Sequence, residues 1–204
     1  MIIRTAAAIV AAALVATAAP AADFSFTGSF VADNGTAGYY FVVTPSSTAT
    51  ISSLGYAGGT NLAGQSIAGG GFDSVLSLYD GSGQQIDFND DGDGATVDLV
   101  SGTASDAGLS LVLAAGKYIV YLSQYDNFGP ASLGLPFNFD GQPNFRGGFI
   151  DFGGFQRNGN WALDISGVGA AGAVPEPATW ALMIGGFGMV GFTARRRRIA
   201  VVAA

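Results

Sequence analysis

Short runs of alternating apolar and polar residues, separated by clusters of Gly, Asp, Asn and Ser, fill most of this chain. Alternation at every second residue is typical of strands with one buried face, and Gly-rich clusters are typical of the turns between strands. The pattern predicts one all-β domain over residues 23–166, an antiparallel, jelly-roll-like β-sandwich of about eight strands. The predicted strands are Phe24–Phe30, Gly38–Thr44, Thr50–Tyr56, Ser74–Tyr79, Gln84–Phe88, Gly108–Leu113, Lys117–Gln124 and Trp161–Ile165.

Two pairs of these strands are close enough in sequence to form hairpins. Ser74–Tyr79 and Gln85–Phe88 flank an Asp-Gly-Ser-Gly turn, in which the glycines can adopt positive φ. Leu109–Leu113 and Tyr118–Leu122 flank Ala-Ala-Gly-Lys, and each carries one apolar face. Two further segments lack alternation: the Phe-, Gly- and Pro-rich residues 128–155 predict a long ordered loop, and residues 167–174 predict a Gly/Ala linker.

The residue types that the chain lacks exclude several functions. It contains no Cys and no His, which excludes disulfides, thiolate nucleophiles, Ser-His-Asp triads and Cys- or His-ligated metals. Residues 23–174 contain fourteen Asp, no Glu and three cations, so their net charge is −11. Such a surface repels phosphate backbones, and we therefore expect no binding to nucleic acid.

The N-terminus has the three parts of a secretory signal peptide. Arg4 precedes the apolar run Ala6–Ala18, and small residues follow around Ala19 and Ala21. This order predicts a signal helix over residues 1–22, removed by signal peptidase after Ala21 or Ala22. The alternative is a buried, Ala-rich helix of a cytosolic domain.

The C-terminus has the composition of a membrane anchor. Residues 178–194 are uncharged, and 17 residues are the lower limit for a helix that spans the hydrocarbon core. Because Lys and Arg remain on the cytoplasmic side, the basic block that follows places the preceding domain outside the inner membrane. The four basic residues are Arg195, Arg196, Arg197 and Arg198.

The start of this anchor resembles a known sorting signal. A Pro175-Glu176-Pro177 triplet, Trp180, the Gly-rich apolar helix and the Arg cluster occur in the order of the PEP-CTERM signal in its PEPxxWA form. The resemblance covers residues 175–198, and residues 199–204 form a tail beyond it. It implies cleavage by an exosortase, transfer towards the cell surface and a Gram-negative producer of exopolysaccharide. The alternative is a plain single-pass anchor that is never cleaved.

A second resemblance lies within the predicted sandwich. It concerns the bacterial pre-peptidase C-terminal type of β-sandwich, which implies a module that is usually non-catalytic. The matching positions are Asp73, Leu76, Leu78, Tyr79, Asp80, Gly83, Asn89, Asp90, Asp91, Leu113, Ala115, Gly116, Tyr118 and Val120.

An Asp-rich loop in the same segment carries candidate ligands for a cation. Asp87, Asn89, Asp91 and Asp98 follow the spacing of a calcium loop, although Asp98 stands in place of the usual Glu, and Asp93 adds a fifth oxygen donor. Alternating oxygen ligands around a Gly turn suit a hard cation, so the sequence predicts Ca²⁺ here. The alternative is a solvated turn between strands.

Together these features predict a non-catalytic exported protein of the cell envelope or extracellular matrix, associated with exopolysaccharide or biofilm. The expected partners are signal peptidase, an exosortase, the inner membrane before processing, and exopolysaccharide. One alternative is a calcium-dependent carbohydrate-binding module. The aromatic residues that would stack on sugars are Tyr39, Tyr56, Tyr125, Phe128 and Trp161. A further alternative is a carboxylate-based glycoside hydrolase that uses two of the Asp residues.

Overall fold

The computed structural model describes residues 22–174. Residues 1–21 of the predicted signal peptide, and the predicted transmembrane helix and sorting signal from Pro175 onward, lie outside the described residues. Within the described part, no helix has the length and apolar character needed to span a membrane. The strands are β1 (Ala22–Ser29), β2 (Thr36–Val43), β3 (Ser47–Ser53), β4 (Gly59–Thr60), β5 (Ser66–Ile67), β6 (Ser74–Asp80), β7 (Gln85–Asn89), β8 (Gly108–Leu113), β9 (Gly116–Gln124), β10 (Asn160–Val168) and β11 (Ala170–Ala173).

The strands form two facing antiparallel sheets. The first sheet has the order β1-β10-β3-β8 and the second has the order β11-β2-β9-β6-β7, while β4 and β5 form a separate two-stranded ribbon. The predicted antiparallel β-sandwich is therefore confirmed. Each of the eight predicted strands overlaps an observed one, and β4, β5 and β11 were not predicted.

The core lies between the sheets and follows the alternation of the sequence. Phe41 and Val43 of β2, and Leu163 and Ile165 of β10, are fully buried and belong to the same apolar cluster. Side chains two residues apart on a strand point to the same face, which explains this spacing. β6 is buried on both faces, because the segment after β9 covers its outer side: the Tyr79 hydroxyl donates a hydrogen bond to the carbonyl oxygen of residue 130 at 3.0 Å.

The first predicted hairpin is confirmed. β6 and β7 pair antiparallel, with Leu76 opposite Asn89 and Leu78 opposite Asp87. In the turn, the carboxylate of Asp80 accepts hydrogen bonds from the backbone N–H groups of residues 82 and 84 at 2.8 and 3.0 Å. Gly83 has a φ of +83°, a conformation that favours glycine.

The second predicted hairpin is wrong. β8 pairs with β3 in the first sheet, whereas β9 pairs with β2 and β6 in the second. The connection between them crosses from one sheet to the other, so Leu109 and Leu113 of β8 face Val120 and Leu122 of β9 across the core. Alternation in the sequence determines which face of each strand is apolar. A connection that crosses between the sheets buries the apolar faces of β8 and β9 as well as a hairpin does.

The prediction of a linker over residues 167–174 is also wrong. Val168 ends β10, and β11 pairs with β2 with Ala170 opposite Val42. The backbone N–H of Val174 donates to the carbonyl oxygen of Gly38 at 2.8 Å. Small residues suit this edge because the Tyr40 hydroxyl lies against Gly172, where a Cβ would be only 2.8 Å away. The chain is thus bound to the sheet up to the residue before Pro175.

Residues 128–155 form no strand, as predicted, yet they are closely tied to the domain. The rings of Phe139 and Phe145 stack with centroids 4.1 Å apart. Buried Asp33 accepts hydrogen bonds from the backbone N–H groups of Arg146 and Gly148 at 2.8 and 3.1 Å. This long ordered loop reaches the end of the second sheet where the candidate site lies.

Candidate functional site

The strand order of the second sheet brings three distant segments to one end of the sandwich. β6 begins where β9 ends, since Ser74 lies opposite Gln124, and the backbone N–H of Tyr125 donates to the carbonyl oxygen of Asp73 at 2.8 Å. β7 ends at Asn89, opposite Leu76, so Asp90 and Asp91, which follow it, lie at the same end of the second sheet. Topology, rather than spacing along the chain, builds this site.

A cavity of about 530 Å³ lies between these segments. Its size falls within the roughly 300–1,000 Å³ of small-molecule sites in proteins. It is lined by Tyr56, Asp73, Asp90, Asp91, Thr103, Ala104, Ser105, Tyr125, Asp151, Phe152 and Gly153. We call it the acidic cleft.

Among the residues of the acidic cleft, Asp73 has the pKa that departs most from its ordinary value. Its side chain is 8% exposed, and its Oδ1 atom has no hydrogen-bond partner within residues 22–174. Burial raises the pKa of Asp73 to about 7, and the negative charges of Asp91, Asp90 and Asp151 add to this effect, while Arg146 opposes it. The carboxyl group therefore exchanges its proton near neutral pH, unlike an ordinary surface Asp.

A buried ion-pair network forms the floor of the acidic cleft. Arg157 donates through Nε to Asp151 Oδ2 at 2.9 Å and through Nη2 to Asp98 Oδ2 at 3.0 Å. The Tyr56 hydroxyl also donates to Asp151 Oδ2 at 2.8 Å, and the guanidinium lies over the Tyr56 ring, 4.0 Å from its centroid. The network fastens the long loop to the turn that carries Asp98.

The electrostatics of the network favour its charged form. Burial by itself would raise the pKa values of Asp98 and Asp151, but hydrogen bonds from backbone N–H groups and from Arg157 lower both below the usual range. Burial would likewise lower the pKa of Arg157, and its two carboxylate partners raise it instead. Asp98 and Asp151 are therefore ionised and already engaged.

The five predicted calcium ligands are not gathered around one point. Asp98 pairs with Arg157, so its carboxylate is already engaged and its role as the closing ligand of the loop stays a prediction; spacing along the chain contains no information about a partner 59 residues away. Asp87, Asn89 and Asp93 line a separate cavity on the face of the first sheet, and Asn89 Oδ1 accepts a hydrogen bond from the backbone N–H of Asp91 at 2.7 Å.

Residues 22–174 contain no group of three or more acidic side chains placed to hold a metal ion. Calcium at the rest of the loop stays a prediction.

The aromatic residues proposed for sugar stacking divide into two groups. Tyr39 and Trp161 are buried in the core and Tyr56 is buried in the network, so these three are not available at the surface. Tyr125 and Phe128 are half-buried and in edge-to-face contact, with centroids 5.6 Å apart. Tyr56 and Tyr125 both line the acidic cleft, and of these two only Tyr125 is partly exposed.

Sequence reasoning missed Phe152 and Arg157. Phe152 is 81% exposed, and its ring makes an edge-to-face contact with Tyr125 at 6.5 Å between centroids. No alternation distinguishes it from the neighbouring Phe residues of the loop. The composition of the sequence does point to Arg157, although the sequence analysis did not use it. Arg157 is one of three cations in a domain with fourteen Asp, and such a residue is expected to find a buried acidic partner.

Comparison with protein families identifies a sorting motif at the C-terminal end of the chain. Residues 173–198 match the family model of the PEP-CTERM protein-sorting motif, which covers the predicted signal and begins at the last residue of β11. The motif implies an exported protein that is anchored in the membrane and then processed by an exosortase. A search of curated proteins gave no match to the chain. The resemblance to the pre-peptidase C-terminal sandwich stays a prediction.

Proposed function

We propose that this chain is a non-catalytic component of the cell envelope or extracellular matrix, associated with exopolysaccharide after exosortase processing. The observation that carries the proposal is the sorting motif at residues 173–198, which begins at the last residue of the last strand. The domain itself supports it: the described residues form one sandwich whose acidic turns line a cleft of small-molecule size.

The chemistry of the acidic cleft supports a binding role over a catalytic one. Asp151 is held by Arg157 and Tyr56, so it is not free to act as a nucleophile or general base. Asp91 is exposed at the surface, although burial of part of its carboxyl and the charge of Asp90 raise its pKa. The remaining groups suit recognition of a ligand that donates hydrogen bonds.

One observation favours a second candidate, the carboxylate-based glycoside hydrolase. Such enzymes need a general acid that keeps its proton near neutral pH, and the pKa of Asp73, raised to about 7, meets that need. Release of new reducing ends from the native polysaccharide by the parent, and its loss in Asp73→Asn, would establish this candidate. Unchanged reducing ends leave the non-catalytic proposal in place.

Retention by the polysaccharide tests the proposed function. In cells that make exopolysaccharide we expect the processed protein to sediment with the matrix after gentle washing. In an otherwise identical strain that makes no exopolysaccharide, the same processed protein should appear in the medium. Equal retention by both strains would contradict an association with exopolysaccharide while leaving sorting intact.

A further inference from the structure

We infer that the acidic cleft is a binding site for a neutral saccharide, with Asp73 as its buried hydrogen-bond acceptor and Phe152 and Tyr125 as its aromatic wall. The inference rests on the proposed association with exopolysaccharide and names the class of ligand that this site recognises. The ligand consists of hexose units that carry free hydroxyl groups and no negative charge.

The first observation is an unmet acceptor. Asp73 is more than nine-tenths buried, lines the cavity, and has a carboxylate oxygen with no hydrogen-bond partner among residues 22–174. Buried polar atoms in folded proteins are almost always paired, because an unpaired one loses its hydration without compensation. A donor from a bound ligand would complete this group.

The second observation is the balance of donors and acceptors in the acidic cleft. Asp90 and Asp91 add further carboxylate oxygens, whereas the Thr103 hydroxyl is already shared with Tyr56. The guanidinium of Arg157 is already paired with Asp98 and Asp151 in the network, so Arg157 adds no free cation to the cavity wall. A site with excess acceptors and negative charge selects a ligand rich in O–H donors and repels phosphate, sulfate and uronate groups.

The third observation is the aromatic wall. Phe152 is 81% exposed although it is a large apolar side chain, and its ring makes an edge contact with Tyr125. Arg146 lies over the Tyr125 ring, 5.3 Å from its centroid, and also pairs with Asp126, which holds that side of the wall in place. Apolar faces beside a few convergent polar groups are the usual composition of sites for uncharged small molecules. Pyranose rings present such an apolar face to an aromatic ring.

A cation is the competing occupant, and the geometry favours it less. The three carboxylates of Asp73, Asp90 and Asp91 are not placed as a ligand set for a metal ion, in keeping with the absence of any such group among the described residues. An exposed aromatic side chain also has no role beside a hard cation, which takes oxygen ligands alone.

The test is a binding measurement on the full-length chain in mild detergent. The probes are the purified exopolysaccharide of the producing strain, neutral gluco-, galacto- and manno-oligosaccharides, and uronate oligosaccharides of equal length. We expect the exopolysaccharide and at least one neutral series to bind, and the uronates not to bind. Phe152→Ala and Asp73→Asn should each weaken binding by about tenfold or more.

Matched substitutions outside the acidic cleft serve as controls. Tyr40→Ala removes a half-exposed aromatic ring from β2, and Asp140→Asn neutralises an exposed carboxylate on the long loop. Both should bind like the parent. Because Phe152 is exposed, Phe152→Ala should fold normally, and thermal melts of all four variants verify this.

Three results would overturn the inference. These are no binding of any neutral saccharide, binding that both cleft variants leave unchanged, and a rise in melting temperature on adding Ca²⁺ alone that Asp73→Asn abolishes. The last result would assign the acidic cleft to a cation instead. If the protein is still retained by the matrix in any of these cases, the proposed function stands and only the location of its contact is wrong.

Discussion

Asp73 makes the stability of the domain depend on pH in a direction opposite to that of most carboxylates. Its pKa is raised from 3.8 to about 7 in the folded protein. The folded state therefore binds the Asp73 proton more tightly than the unfolded state. The contribution of Asp73 to stability is complete below pH 4, and it is lost as the pH rises through 7.

The size of the effect follows from the shift. A difference of about three pKa units corresponds to about 4 kcal/mol of unfolding free energy between pH 4 and pH 8, at 1.36 kcal/mol per unit. This is an upper figure, because the carboxylate can relax towards water once it ionises. Asp73→Asn has no proton to lose, so its unfolding free energy should lack this fall.

Urea unfolding at intervals from pH 5 to pH 8.5, in the presence of a calcium chelator, measures the effect. We expect the difference between Asp73→Asn and the parent to grow in favour of the variant as the pH rises, by a few kcal/mol over this interval. Asp140→Asn, which neutralises an exposed carboxylate, should follow the parent. A pH-independent difference between Asp73→Asn and the parent would refute the reasoning.

Three further predictions concern the network, the core and the calcium loop. Arg157→Met leaves two buried carboxylates without their cation and should cost about 3–5 kcal/mol of unfolding free energy by urea denaturation, and Arg157→Lys should not restore it fully. Phe41→Ala empties a fully buried position and should cost about 3–5 kcal/mol, whereas Val112→Ala, on the exposed face of β8, should change stability by less than about 0.5 kcal/mol. If calorimetry detects Ca²⁺ at the Asp-rich loop, Asp91→Ala should abolish binding and Asp98→Asn should not, because Arg157 already holds Asp98; the reverse pattern would show that the pair opens to admit the ion.

The strands could be predicted from the sequence because their cause is local. In β2, the buried Tyr39, Phe41 and Val43 alternate with more exposed residues, and burial of that face favours the extended backbone. β10 has the same spacing of Trp161, Leu163 and Ile165, although the residues between them are buried as well. Pairing could not be predicted in the same way. β8 and β9 are adjacent in sequence, and each has one apolar face. The sequence pattern is therefore the same whether the two strands form a hairpin or lie in different sheets, as they do here.

The interpretations of residues 167–174 and of Asp98 show the same limit of local sequence patterns. Gly and Ala in residues 167–174 are typical of linkers, yet small side chains are also what the crowded edge beside Tyr40 and β2 admits. Asp98 fits the spacing of a calcium loop, yet its carboxylate pairs with Arg157, which the fold brings from far along the chain.

The candidate site was the least predictable part. Asp73 is unusual because of its burial and its acidic neighbours, and both follow from the meeting of β6, β7 and β9 at one end of the sheet. The sorting motif is the opposite case, since its four elements follow one another along the sequence and can be recognised without any information about packing.

The central claim is that an exosortase processes this protein for export, and the mass of its C-terminus tests that claim most directly. Intact-mass measurement on the protein from wild-type cells should give a chain that ends near Pro175, Glu176 and Pro177, recovered from the cell surface. In cells that lack the exosortase, the chain should retain the Arg cluster and remain in the inner membrane. An identical C-terminus and location in both strains would contradict the claim.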